Sequence, residues 1–311
     1  MLNKKIKIVF MGTPDFSVPC LNALIQDERF EIILTITQKD KKIGRKQIMT
    51  PPPVKIESEK NNITVWQPKK ISDCKLPKDV DLIVVIAYGQ ILPQHILDLP
   101  KHGCINIHAS LLPKYRGSAC IQAPLLNGDR ETGITIMQME AGLDTGPIIT
   151  QEKIQIIPEE TAHTLHDRLT NIGAKILPQV LIDYIEKKIK SQPQDDSKSS
   201  YVGILKKQDG KIDWKKSALE IERMIRALNP WPGTFGKTKD NLLLKILKVE
   251  NNILKINKHK TGELFLYQEK LAIQCGQDSL VIQDLQLAGK KAMHTAQFLQ
   301  GNSALIKTII S

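Results

Sequence analysis

Leu82-Ile83-Val84-Val85-Ile86-Ala87 is the only long apolar run near the middle of this chain, and it constrains the fold more than any other stretch. It is far too short to cross a bilayer. A strand that is apolar on both faces must be covered on both, as a central strand of a parallel sheet is by its flanking helices. Around it, residues 6–12, 31–37, 103–108 and 133–139 read as further strands. Residues 15–26 read as a helix after a turn, and candidate helices lie between the other strands. The alternation predicts an α/β fold with a doubly wound, mostly parallel, Rossmann-like sheet. Such sheets bind ligands beyond the carboxyl ends of their strands. The basic start, Lys4-Lys5-Ile6-Lys7 with apolar residues after it, could pass for a signal peptide. Its apolar part breaks at Gly12-Thr13-Pro14-Asp15, so a first strand is the better reading.

The second half changes character. Leu165, Leu169, Ile172 and Ile176 recur at helical spacing over residues 161–188, where Pro178 is expected to kink or divide the helix. His163 and His166 stand three apart there. No third ligand motif accompanies them, so they read as helix-surface residues and no metal site is expected. Residues 191–200 are Gln, Pro, Asp, Lys and Ser with little to bury, which is the composition of a linker. Ser217-Ala218-Leu219-Glu220 offers a capping box for a following helix. Residues 242–249, 262–267, 270–274 and 279–287 then read as short strands separated by turn residues, which suits a small β-barrel or sandwich. With 311 residues, the division expected is 1–190, a linker 191–206, and a smaller domain 207–311.

Composition narrows the class. Apolar content of 41% and charged content of 25% are those of an ordinary globular protein. Five cysteines without a C-x-x-C pair fit reduced thiols in a cytoplasmic protein. Residues 201–311 hold 18 Lys and Arg against 10 Asp and Glu, leaving 26 against 23 in the first 200. Asymmetry of this kind points to a polyanionic partner for the C-terminal part, although lysine on solvated faces would look the same.

The chemistry concentrates in Gly103-Cys104-Ile105-Asn106-Ile107-His108-Ala109-Ser110-Leu111-Leu112-Pro113-Lys114-Tyr115-Arg116-Gly117. Side chains alternate along a strand, so Asn106 and His108 share a face. A carboxamide beside a titratable ring suits acyl transfer, in which one group holds a developing oxyanion and another moves a proton. Taken alone, the pair could equally be a satisfied strand end. Downstream, the strand from Gly133 runs into a loop with Asp144 between Gly142 and Gly146. A carboxylate aimed from such a loop would fix the imidazole tautomer and favour its charged form. An isolated turn aspartate bonding its own backbone is the competing reading.

Together, N-I-H-A-S-L-L-P-K-Y-R-G and G-I-T-I-M-Q-M-E-A-G-L-D-T-G-P resemble the folate-dependent formyltransferase family. The resemblance extends along nearly the whole chain through Gly12-Thr13-Pro14-Asp15-Phe16, Ala87-Tyr88-Gly89, Asn229-Pro230-Trp231-Pro232-Gly233 and Ala288-Gly289-Lys290-Lys291-Ala292-Met293. It is to the branch that formylates an aminoacyl-tRNA. It implies transfer of the formyl group of 10-formyltetrahydrofolate to the α-amine of methionine on initiator Met-tRNA, with no metal. Asn106 and His108 would stabilise the tetrahedral intermediate and Asp144 would orient His108. Ser110, Leu111, Leu112, Pro113, Tyr88 and Gly89 would line the folate cleft. The basic insertion with Lys42, Arg45 and Lys46 would meet the tRNA, as would Lys206, Lys290 and Lys291. The resemblance also implies an OB-like barrel in the C-terminal domain. A monomer without membrane attachment is expected. The chain departs from the commonest family form in having Tyr115 where Trp is usual and Cys120 where Pro is usual, both beside the site.

Three rivals stay open on sequence. They are a formyltransferase acting on an aminosugar nucleotide or glycinamide ribonucleotide, a formyl-folate hydrolase, and a noncatalytic tRNA-binding protein on the same scaffold. Small-substrate members would need neither the basic insertion nor the basic C-terminal part. Phosphate binding alone would need none of Asn106, His108 and Asp144. The loop after the first strand lacks G-x-G-x-x-G, and Pro14 removes an amide, so a dinucleotide cofactor is not expected.

Overall fold

The computed structural model describes residues 4–44 and 46–311. The chain forms two compact units that do not follow chain order. One holds residues up to Cys120, Thr132–Ile154 and His166–Val202; the other holds Ile121–Glu131, Gln155–Leu165 and Gly203–Ser311. The sequence-based division into 1–190 and 207–311 is contiguous and differs in this respect.

The first unit is built on a seven-stranded sheet. In chain order its strands are β1 (Ile6–Gly12), β2 (Phe30–Ile36), β3 (Val65–Trp66), β4 (Leu82–Ile86), β5 (Cys104–His108), β6 (Glu131–Gln138) and β7 (Ile148–Gln155). Across the sheet they run β7-β6-β5-β4-β1-β2-β3. From β3 to β5 every pairing is parallel, whereas β5 and β6 are antiparallel. The apolar run from Leu82 forms β4, which is buried along its whole length. Alternation places Val9, Met11, Ile83 and Val85 on one face, and Ile8, Phe10, Val84 and Ile86 on the other. Both sets are buried, as a parallel sheet covered on both faces requires.

The chain leaves β1 towards β2 and β3, then returns to the other side of β1 as β4. The order therefore reverses between β1 and β4, and a crevice opens where their carboxyl ends part. Gly12, Tyr88 and Gly89 stand at that reversal, and the end of β5 is beside it. The helix Ala162–Ile185 runs unbroken through Pro178, so the expected division does not occur. A missing interior bond costs about 3 kcal/mol, and burial of Leu165, Leu169, Leu177, Leu181 and Ile182 offsets it.

The second unit contains a six-stranded antiparallel sheet in the order Thr234–Lys237, Leu243–Val249, Ser279–Leu287, Lys270–Gln274, Leu264–Tyr267, with Met293–His294 also pairing with Ser279–Leu287. The final residues join its two edges. Lys237 and Ser311 exchange both backbone hydrogen bonds (2.7 and 2.9 Å), while Leu264 N–H donates to Thr308 O and Ile310 N–H to Gly262 O. The sheet thereby closes on itself, as a barrel does to remove its edges. Its interior is packed with Leu244, Ile246, Leu264, Ile273, Leu280 and Phe298 against the helix Ala218–Leu228. The expected capping box starts that helix: Ser217 Oγ accepts from Glu220 N–H and the Glu220 carboxylate accepts from Ser217 N–H.

Candidate active site

β5 carries the first two residues. Asn106 lies opposite Met137, and His108 opposite Thr135, on antiparallel β6. Among the described residues the Asn106 side chain makes no hydrogen bond, and it is half-buried, so its amide is free to donate. His108 is only 6% exposed at the strand's end.

Beyond His108 the chain folds back under tight polar control. Thr135 Oγ1 donates to Ser110 O at 2.6 Å and accepts from Leu112 N–H at 3.1 Å. Gln151 Nε2 donates to Leu112 O at 2.8 Å. The returning chain then presents two backbone groups. The Tyr115 carbonyl lies 2.9 Å from His108 Nε2. Since a carbonyl only accepts, Nε2 carries a hydrogen and the tautomer is fixed. Two residues on, Gly117 N–H donates to Asp144 Oδ2 at 2.8 Å. Gly117 has φ +105°, and a Cβ there would meet the Val202 carbonyl at 2.3 Å. Only glycine meets both demands.

Asp144 itself sits at φ +54°, in the left-handed region. Its Oδ2 is 3.7 Å from His108 Nδ1. Burial of His108 opposes its positive charge, but contact and hydrogen bonding with the Cys120 side chain, the Asp144 carboxylate and the Tyr115 carbonyl outweigh it. The result is a pKa raised to about 9. The ring is therefore charged at neutral pH. The arrangement offers an unpartnered carboxamide and an imidazolium on one strand face, at the carboxyl end of β5, the side of such a sheet where ligands bind. That is the equipment for holding a carbonyl oxygen as it becomes an anion.

The other expected residues are placed as follows. Ser110 is fully buried, and its hydroxyl donates to Lys114 O at 2.7 Å, so it shapes the turn. Leu111 and Pro113 are half-buried, and Leu112 is buried. Tyr88 is packed in the core with Val9, Met11 and Val85, where burial pushes its hydroxyl pKa up to about 12. Its carbonyl accepts from Thr13 Oγ1 and Gln38 Nε2. Gly89, next to it, is exposed with φ +87°. Lys42 lies on an antiparallel hairpin formed by Lys41–Ile43 and Ile48–Thr50, and Lys46 lies in its turn. Arg45 falls outside the described residues. Lys206, Lys290 and Lys291 are exposed on the second unit.

Residues the sequence did not single out are Tyr115 and Gly117 as backbone partners and Gln194. Gln194 Nε2 donates to Asp144 O and Gly146 O. It lies 50 residues from Asp144 in a polar stretch, with no local signal to mark it. Among the described residues, no group of three His, Cys, Asp or Glu could hold a metal ion. His166 instead faces carboxylates, with Nδ1 2.9 Å from Asp167 and Nε2 3.6 Å from Asp15.

Residues 4–181 match the formyl transferase family, and residues 204–303 match the formyl transferase C-terminal domain. An N-formyltransferase from Helicobacter canadensis, solved in complex with folinic acid and dTDP-3-aminofucose, has the same fold. Its TM-score is 0.67 at 21% identity, over 89% of this chain and 98% of that one. The methionyl-tRNA formyltransferase of Geobacter sulfurreducens is 44% identical over 312 residues, spanning 95% of this chain and 94% of its own. That of Staphylococcus aureus is 43% identical over 303 residues, spanning 95% and 96%. Likeness at this level along nearly the full length of both chains shows that the chain belongs to the formyl transferase family, among the methionyl-tRNA formyltransferases.

Proposed function

We propose that this enzyme transfers the formyl group of 10-formyltetrahydrofolate to the α-amine of methionine carried on initiator tRNA. The observation that carries the reading is the grouping of Asn106, His108 and Asp144, with 3.7 Å between imidazole and carboxylate, at the carboxyl end of β5. The names of the relatives and the folinic acid held by the Helicobacter protein support the same donor and acceptor classes.

The reaction sets its own demands. The neutral amine attacks the formyl carbon, a C–N bond forms, and the carbonyl oxygen becomes negative. The bond from that carbon to N10 then breaks. One amine proton is lost and N10 gains one, so neither a covalent enzyme intermediate nor a redox step is involved. Asn106 donates a hydrogen bond to the oxyanion. His108, charged at neutral pH, shares that oxygen and holds the proton at Nδ1 that N10 needs, because Nε2–H is committed to the Tyr115 carbonyl. Asp144 keeps the charged ring in place and takes part in returning its proton.

The half-buried Leu111 and Pro113, with Gly89 across the β1/β4 reversal, supply the apolar wall a pteridine ring needs. Lys42 and Lys46 on the hairpin, with Arg45 and with Lys206, Lys290 and Lys291 on the second unit, contact tRNA phosphates without reading bases. The enzyme works in the cytoplasm, where both substrates are found. Incubation with 10-formyltetrahydrofolate and either Met-tRNA or free methionine tests the reading. Formyl transfer to the tRNA-linked amino acid alone is expected; transfer to neither, or to an aminosugar nucleotide instead, overturns it.

A further inference from the structure

We propose that Gln194 is a positioning residue for formyl transfer, and that with Arg116 it forms a clasp holding the Asp144 loop against His108. The proposal rests on the reading of His108 and Asp144 as the reacting pair. Its geometry is independent of any substrate.

Gln194 uses both ends of its carboxamide. Nε2 donates to Asp144 O at 2.9 Å and to Gly146 O at 2.8 Å. Oε1 accepts from Arg116 Nε at 3.1 Å and from Nη2 at 2.7 Å. The orientation of the amide is therefore determined by its neighbours. A flipped amide would set its NH2 against the guanidinium and its oxygen against two carbonyls. Arg116 is 1% exposed, and its remaining donors reach Tyr201 OH at 3.0 Å and Asp196 Oδ1 at 2.7 Å.

What makes the clasp functional is its place in the chain. Arg116 stands between the two backbone groups that address the site. The carbonyl before it binds His108 Nε2, and the N–H after it binds Asp144 Oδ2. Gln194 grips the backbone of that same Asp144. One carboxamide and one guanidinium thus link the His108 partner, the Asp144 partner and the Asp144 main chain. The first part of the stretch 191–206, read from sequence as a linker, is stitched into this arrangement. Ile148 and Gln192 exchange backbone bonds, Arg116 N–H donates to Ser200 O, and Ser118 N–H to Val202 O. The clasp has something to restrain, since Asp144 holds a left-handed backbone conformation between two glycines. Such a loop has many alternatives once its anchor is gone.

The test uses the full chain with three variants. Gln194→Ala removes the clasp. Gln194→Glu keeps an acceptor for Arg116, and so the fold, but replaces the donors to Asp144 and Gly146. Asp196→Asn keeps an oxygen facing Arg116 Nη2 and removes only the charge of an exposed carboxylate. In the ligand-free protein, the His108 imidazole of Gln194→Ala should titrate at lower pH than in the wild type by NMR, because the Asp144 carboxylate is no longer held near it. In formyl transfer, both Gln194 variants should lose at least about tenfold in kcat with KM for Met-tRNA within about twofold, the pattern of a misplaced catalytic group. Asp196→Asn should change neither. In an Asp144→Asn background, Gln194→Ala should cost less than about twofold, since its effect runs through that carboxylate. Unchanged His108 titration in Gln194→Ala, equal losses in both backgrounds, or an Asp196→Asn loss as large as that of Gln194→Glu would each overturn the proposal. A wild-type protein that forms no formyl-Met-tRNA would refute the proposed function instead, and the NMR titration would still decide on the clasp.

Discussion

His108 keeps its charge where burial works against it, and its neighbours make this possible. Removing the Cys120 sulfur in Cys120→Ala takes away a contribution that raises the ring's pKa, so the titration should move down from about 9. An NMR titration that does not move would show that the sulfur plays no part. The sign for stability follows from the direction of the shift. The folded protein binds this proton more tightly than the unfolded chain, whose His titrates near 6.5. The stabilisation is complete below about pH 6.5 and fades as pH rises through about 9. Relative to His108→Gln, the wild type should therefore lose stability over that window in denaturant titrations. A difference constant across it would contradict the raised pKa. At this scale the sequence was informative about what alternation controls. Asn106 and His108 are two apart on one strand, so their common face could be read directly. The partners that tune them could not. Tyr115 reaches His108 through a carbonyl that every residue possesses, and Gly117 meets Asp144 across 27 positions.

Elements were legible where burial imposed a period. β4 and β5 stand where their apolar runs place them, and the capping box at Ser217 starts its helix. The helix is not divided at Pro178, because local propensity lost to the packing of a long helix. The hairpin Lys41–Ile43 with Ile48–Thr50 was hidden because three-residue strands on an exposed insertion have no buried face to impose alternation. Its Ile43, Ile48 and Met49 are each more than half exposed. If the hairpin lies against tRNA, replacing Lys42 and Lys46 by alanine should raise KM for Met-tRNA. It should also flatten the log–log salt dependence by about one unit per lost phosphate contact. Parallel salt slopes for wild type and variant would exclude the hairpin from the interface.

For the whole molecule, the contiguous division into domains was the natural reading, because nothing local marks 121–131 and 155–165 as packing with residues beyond 203. The segment that closes the C-terminal sheet was equally silent in the sequence, although a barrel was among the readings. Lys307 to Ser311 form no regular strand of their own, yet they occupy the gap between Lys237 and Leu264. Deleting 307–311 should expose both edges, and the amides of Lys237 and Leu264 should lose hydrogen-exchange protection. Protection equal to that of the full chain would show that the sheet closes without these residues.

All of this supports one chemical claim, that the free carboxamide beside His108 donates a hydrogen bond to the oxygen that becomes negative as the formyl group changes hands. Single-turnover formylation of Met-tRNA by Asn106→Ala measures it directly. Losing one oxyanion donor costs about 2.7–4 kcal/mol, so the rate should fall roughly 100-fold or more while tRNA binding in a gel-shift assay persists. A folded variant that formylates Met-tRNA at the wild-type rate would remove Asn106 from the reaction and leave the oxyanion without this donor.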